Sequence, residues 1–210
     1  MLNTNDKSLI LPGYFGSSSD NIKIIKNFVE LEDLKKIQSF LPTINEWMDA
    51  GENTYAEDGT CTYDASYWTN RQCSFDILSR INLDVYNLVD KYILKMKYFL
   101  EDSFNVKLSV RPPVIIRWFP GLEQQPHADK QLNNGLPNPF PTYDLNSLIY
   151  YNDEFEGGEL YYPQHDIVVK PEPGLAVAHP GDINYLHGVK MVTSGERFTT
   201  PSFYTITELI

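Results

Sequence analysis

The sequence predicts an α+β protein with a mainly β core: a double-sheet jelly roll or barrel preceded by helices. Helical periodicity is confined to the first half of the chain. After Val106 short apolar segments alternate with Pro, Gly, Asn and Asp punctuation, about eight of them. No βαβ alternation, internal repeat or low-complexity tract appears.

Residues 1–20 end in Gly16-Ser17-Ser18-Ser19-Asp20 and are expected to form a flexible leader. Ile22–Phe28 reads as a strand. Leu31–Leu41 reads as a helix, with Leu31, Leu34, Ile37, Phe40 and Leu41 on one face and Pro42 ending it. Asp49–Ser74 is polar and aromatic without a period, so a long loop or two irregular strands is expected. Phe75–Phe104 reads as a helix against a sheet, because Ile77, Ile81, Val85, Leu88, Val89, Tyr92, Ile93, Met96, Phe99 and Leu100 recur at three- and four-residue steps. The strands expected beyond it are Leu108–Val110, Val114–Phe119, Ser147–Tyr151, Glu159–Tyr162, Ile167–Val169, Leu175–Ala178, His187–Val192 and Arg197–Ile206.

At 210 residues the chain suits one core, expected over residues 21–210 with helical support in 28–104 and the β core in 106–207. No apolar run approaches the roughly 18–20 residues of a membrane span. The N-terminal residues lack the pattern of a secretory signal, so a cytoplasmic protein is expected. Cys61 and Cys73 are expected as free thiols, since they lack the spacing and companions of a zinc site. The net charge of −11 and the absence of a Lys/Arg cluster argue against nucleic acid or an anionic membrane as a partner.

The candidate site is Gln125-Pro126-His127-Ala128-Asp129 taken with His187 and Arg197. A His-x-Asp pair arises easily by chance, so context decides. Residues i and i+2 at a strand end project to one face, so both side chains can reach one ion. Two histidines and one carboxylate match a facial site for Fe(II) with open positions. The third ligand is drawn from the remaining histidines. His165, beside Asp166 in a hairpin, reads as a surface residue, and His179 at a strand end is the alternative. His187 is preferred because a strand-turn-strand unit after it returns Arg197 to the barrel. A buried arginine needs an anion, and no acidic residue of the chain is an obvious partner; a ligand carboxylate fits.

These residues resemble the 2-oxoglutarate/Fe(II)-dependent dioxygenases, in their prolyl 4-hydroxylase-like branch. The likeness spans about residues 22–207. It runs through Val114-Ile115-Ile116-Arg117-Trp118-Phe119-Pro120-Gly121 into Pro126-His127-Ala128-Asp129. Leu148 to Leu160, Val169 to Gly174, His187-Gly188-Val189 and Gly195-Glu196-Arg197-Phe198 continue it. The resemblance implies a double-stranded β-helix flanked by N-terminal and central helices. It implies Fe(II) held by His127, Asp129 and His187, and Arg197 on the distal carboxylate of 2-oxoglutarate, with Tyr150 directed at the same cosubstrate. Trp118 stands nine residues before His127, where prolyl 4-hydroxylases commonly have tyrosine; its indole donates but does not accept. Many of those enzymes also have lysine where this chain has Arg197.

The implied reaction consumes O2 and 2-oxoglutarate, with ascorbate as a reductant, and hydroxylates an unactivated carbon with release of succinate and CO2. Related halogenases have a small residue in place of Asp129, so an intact carboxylate favours hydroxylation. The implied substrate is a proline residue in a peptide or protein, or free proline. Asp49–Ser74, with Tyr55, Tyr63, Tyr67, Trp68 and Arg71, and the Asn/Pro-rich Lys130–Asn146 are expected to be lids. The alternatives are a non-catalytic cupin-like protein or an oxygenase of the same superfamily acting on another small molecule or nucleic acid.

Overall fold

The computed structural model describes residues 7–49, 51–55, 61–64, 68–111, 114–136 and 138–210. It is mainly β, with two antiparallel sheets facing each other and helices covering the outer face of the larger one. The larger sheet runs Lys23–Ile25, Ala176–Pro180, Leu145–Tyr150, Arg197–Leu209, Val114–Trp118, Gln72–Ser74, and Val106–Val110 pairs with the far half of Arg197–Leu209. The smaller sheet runs Ile167–Val169, Leu160–Tyr162, His187–Val189, Gln124–His127.

Period-2 alternation divides the larger sheet into two faces. Leu145, Ile149, Phe198, Tyr204 and Ile206 pack with the helices in one apolar cluster. Ile116, Trp118, Tyr150 and Val177 meet Leu160, Tyr162 and Val189 of the smaller sheet in a second. Each fully buried side chain of this size contributes roughly 1.5–3 kcal/mol. The interior between the sheets is therefore a packed core that opens at one end into the cavity described below.

The helices form where the apolar spacing predicts them, with one division. Leu31–Phe40 buries Leu34 and Ile37, and Pro42 follows in a 3-10 turn. The expected helix Phe75–Phe104 is two helices, Phe75–Ile81 and Leu83–Phe104. Asn82 divides them: its backbone is extended (φ −158°, ψ 93°), and its side chain accepts the Val85 N–H, capping the second helix. That helix ends on Asn105 in the left-handed conformation.

Three further expectations are revised. The strand over Ile22–Phe28 is only Lys23–Ile25, because Asn27 takes a positive φ of 53°. His187–Val192 is split into His187–Val189 and Val192–Gly195, the second paired with Phe155–Gly157. Residues 8–21 of the expected flexible leader are tied to the body. Ile10 is buried in the helix-side cluster, Gly13 N–H donates to Asp182 at 2.9 Å, and Asn21 Nδ2 donates to the Tyr185 hydroxyl at 2.7 Å. Residues 1–6 lie outside the described residues. Within Asp49–Ser74, Glu52–Tyr55 pairs with Cys61–Asp64 as two irregular strands do; the side chains of Tyr55, Cys61, Tyr63 and Tyr67 lie outside the described residues. Cys73 is a buried free thiol. Among the described residues no helix is long and apolar enough to cross a membrane.

Candidate metal centre

His127 closes the strand Gln124–His127, and His187 opens the strand His187–Val189 beside it. The two are direct partners in the antiparallel register, so two residues 60 apart in sequence face each other across one ladder. Asp129 follows the end of the first strand. Its N–H donates to the Gly181 carbonyl at 3.0 Å and its carbonyl accepts from Asn138 Nδ2 at 2.7 Å. One ligand-capable atom from each of His127, Asp129 and His187 lies within 4.8 Å of the others. His127 Nε2 stands 3.6 Å from Asp129 Oδ1, and His187 Nε2 stands 3.5 Å from Asp129 Oδ2.

The hydrogen bonds set the tautomers. His127 Nδ1 is 3.0 Å from the Gln125 carbonyl, and His187 Nδ1 is 3.1 Å from the Tyr185 carbonyl. A carbonyl only accepts, so each Nδ1 carries a proton and each ring turns its Nε2 towards Asp129. Burial, against the pull of Asp129, pushes His187 down to about 3, which keeps it neutral at physiological pH. Burial works to raise the Asp129 carboxyl, but His187 and His127 bring it down to about 2. A neutral His187 and an ionised Asp129 are in the protonation states a divalent cation requires.

His179 is not one of the three. It sits on Ala176–Pro180 in the larger sheet, with Nδ1 2.9 Å from the Pro180 carbonyl and its ring 4.3 Å from that of His187. His165 stacks on Tyr185 with ring centroids 5.3 Å apart, and its Nε2 is 2.8 Å from the Asn184 carbonyl.

A cavity of about 320 Å³ holds His127, Asp129, His187, Trp118 and Arg197 in its walls. Arg197 is fully buried, and its Nη2 donates to the Tyr150 hydroxyl at 3.4 Å. Its Nε and Nη1 are enclosed without a hydrogen-bond partner among the described residues. The Arg197 guanidinium lies 5.2 Å from the Trp118 ring and 5.0 Å from the Tyr150 ring. The three residues expected at the cosubstrate thus form one cluster. A carboxylate is the group that would satisfy the two idle donors.

Other side chains line the cavity or stand behind its walls. Asn146 donates to Asp129 Oδ2. Trp68 meets Trp118 edge-on at 5.1 Å, and the Arg71 guanidinium lies 3.9 Å and 4.4 Å from the two rings. Phe140, Tyr143 and Phe203 stack in sequence at 4.9 and 4.3 Å along another wall. The two expected lid segments therefore both contribute aromatic walls; Pro137 lies outside the described residues.

Two imidazoles and a carboxylate brought together on an antiparallel double sheet are a donor set suited to a divalent cation such as Fe(II). No family model matches the chain. A PKHD-type hydroxylase of Sphingopyxis alaskensis is 31% identical over 109 residues, 50% of this chain and 48% of that protein. Human prolyl 3-hydroxylase 2 is 33% identical over 89 residues, 39% of this chain and 12% of that protein. The chain thus matches about half the length of the first relative and a small part of the second. Among solved structures, the viral collagen prolyl hydroxylase of Paramecium bursaria Chlorella virus-1, in complex with 2-oxoglutarate, superposes with a TM-score of 0.61 at 15% identity. That match covers 92% of this chain and 99% of the viral one. An oxidoreductase of the 2OG-Fe(II) oxygenase family from Burkholderia pseudomallei gives 0.57 at 17% identity over 89% and 86%. The solved structures share the fold, and the relatives share sequence over half of this chain or less: the chain is similar to hydroxylases of the 2-oxoglutarate/Fe(II)-dependent kind in both respects.

Proposed function

We propose that this protein is a 2-oxoglutarate- and Fe(II)-dependent dioxygenase that hydroxylates an unactivated carbon of a prolyl residue in a peptide or protein. In this reading residues 21–210 form one domain, and its two sheets are the halves of a double-stranded β-helix. One observation carries the proposal: a His-Asp-His set within 4.8 Å shares a cavity with a fully buried arginine whose Nε and Nη1 lack partners.

His127 Nε2, His187 Nε2 and the Asp129 carboxylate hold Fe(II), each fixed by a hydrogen bond behind it. Bound iron, with 2-oxoglutarate and O2, supplies oxidative decarboxylation to succinate and CO2 and the oxidising power for C–H hydroxylation. Arg197 takes the distal carboxylate of 2-oxoglutarate through its idle donors, and the Tyr150 hydroxyl steadies the guanidinium. Trp118 and Trp68 form an apolar wall that excludes water around that pair. The prolyl target rests on the relatives named as prolyl hydroxylases and on the aromatic walls of the cavity, which suit a compact, apolar ring.

The test is a turnover assay with Fe(II), 2-oxoglutarate and ascorbate as reductant. Proline-rich peptides, free proline and a methylated oligonucleotide are offered in parallel. A gain of one oxygen on a proline peptide, matched by succinate, is the expected result. Absence of 2-oxoglutarate-dependent succinate under all conditions refutes the dioxygenase. Turnover of the oligonucleotide alone, read as a gain of oxygen or as loss of a methyl group with release of formaldehyde, refutes the prolyl target.

A further inference from the structure

Asp129 is the metal-binding residue with the most freedom, since the terminal torsion of a carboxylate is broad. It also lies beyond the end of its strand. Three contacts restrain its backbone and that of its neighbour: the Asp129 and Lys130 N–H groups both donate to the Gly181 carbonyl at 3.0 Å, and Asn138 Nδ2 holds the Asp129 carbonyl. The strand Leu145–Tyr150 and the residue before it supply a second restraint. Asp144 takes Lys130 Nζ in a buried ion pair at 2.5 Å. Two residues on, Asn146, 3% exposed, donates Nδ2 to Asp129 Oδ2. An i, i+2 pair thus grips two consecutive residues of the metal loop, one by its ammonium and one by its carboxylate.

Asn146 is a buried polar residue on the cavity face, and among the described residues its Oδ1 has no hydrogen-bond partner while its Nδ2 is committed to Asp129. A charge-assisted bond to Oδ2 stops the carboxylate from turning and leaves Oδ1 as its uncommitted oxygen. We infer that Asn146 is a positioning residue that restricts Asp129 to one oxygen towards the bound cation and so keeps the remaining coordination positions for cosubstrate and O2. The inference rests on the proposed assignment of His127, Asp129 and His187 as ligands.

The probe is Mn(II), titrated calorimetrically into the metal-free wild type, Asn146→Leu and Ile149→Ala, followed by 2-oxoglutarate into each Mn(II)-loaded protein. Ile149 is on the same strand but faces the helices, so Ile149→Ala perturbs the sheet without touching the carboxylate. Loss of the hydrogen bond in Asn146→Leu is expected to weaken Mn(II) roughly 10–100-fold and to weaken 2-oxoglutarate further. Ile149→Ala is expected to melt earlier with Mn(II) affinity within about threefold of wild type, the spread of a site left intact. Asn146→Ser, one bond too short to reach Oδ2, is the second variant should leucine prevent folding, with the same expected loss. Wild-type protein that takes up no Mn(II) overturns the ligand assignment and this inference with it. Wild-type uptake with unchanged affinities in the Asn146 variants overturns the inference alone, and equal losses in Ile149→Ala do the same.

Discussion

Arg197→Met removes a buried charge while keeping most of the side chain's length, and it separates binding from folding by sign. The guanidinium is fully buried, and two of its three nitrogens lack partners among the described residues. Two charge-assisted hydrogen bonds to a ligand carboxylate contribute about 1.5–3 kcal/mol each, or about 3–6 kcal/mol together. Their loss corresponds to roughly a 10²–10⁴-fold weaker 2-oxoglutarate affinity. Without ligand the same substitution relieves desolvation, which already pulls the guanidinium pKa below its usual value. The apo variant is therefore expected to melt no earlier than the wild type. The assays are calorimetric titration of 2-oxoglutarate into Mn(II)-loaded protein and thermal melting with and without the cosubstrate. Wild type should gain stability with rising 2-oxoglutarate and the variant should not. Cosubstrate affinity within threefold of wild type would refute the anion-site reasoning. An apo variant that melts markedly earlier would show that Arg197 serves the fold instead.

Four other outcomes are expected. His127→Ala and Asp129→Ala should each abolish calorimetric Mn(II) uptake, and chelation of the metal should lower the wild-type melting temperature but not theirs. Lys130→Met strands the Asp144 carboxylate, whose side chain has no exposure, and should cost about 3–5 kcal/mol in urea unfolding. A Cβ at Gly181 would lie 2.0 Å from the Tyr143 carbonyl oxygen, so Gly181→Ala should cost about 3 kcal/mol or more by the same measurement and loosen Mn(II) binding. Burial pushes the Cys73 thiol up to about 11. Its folded pKa exceeds the unfolded value, so its contribution is complete below that unfolded value. It is lost as pH rises through about 11; native protein should resist alkylation at pH 8, which peptide mapping after iodoacetamide reports.

The His127-x-Asp129 pair was legible because its spacing is local and the strand end supplies the geometry. The choice between His187 and His179 was not fixed by local spacing. It rests on His187 pairing with His127 across the smaller sheet, whereas His179 belongs to the larger one. Asn146 was invisible for a related reason, since its partner is 17 residues away and a polar residue near a strand's start usually faces water. Its position two residues past Asp144 was the available hint. The break at Asn82 was masked because both helices bury one continuous face, so the apolar period runs through the cap. Residues 8–21 looked like a leader because their anchors are Asp144, Asp182 and Tyr185, none of which a local reading connects to them. Arg197 was readable as buried because Phe198 and an apolar strand follow it.

Along Arg197–Leu209 the cavity receives Arg197, Thr199, Pro201 and Phe203, while Phe198, Tyr204 and Ile206 seat the strand on its helices. Parity therefore separates two kinds of selection on one backbone. A deep mutational scan scored for turnover and for abundance should resolve into two interleaved combs. Drift at odd positions would let new chemistries be sampled while even positions hold the scaffold constant.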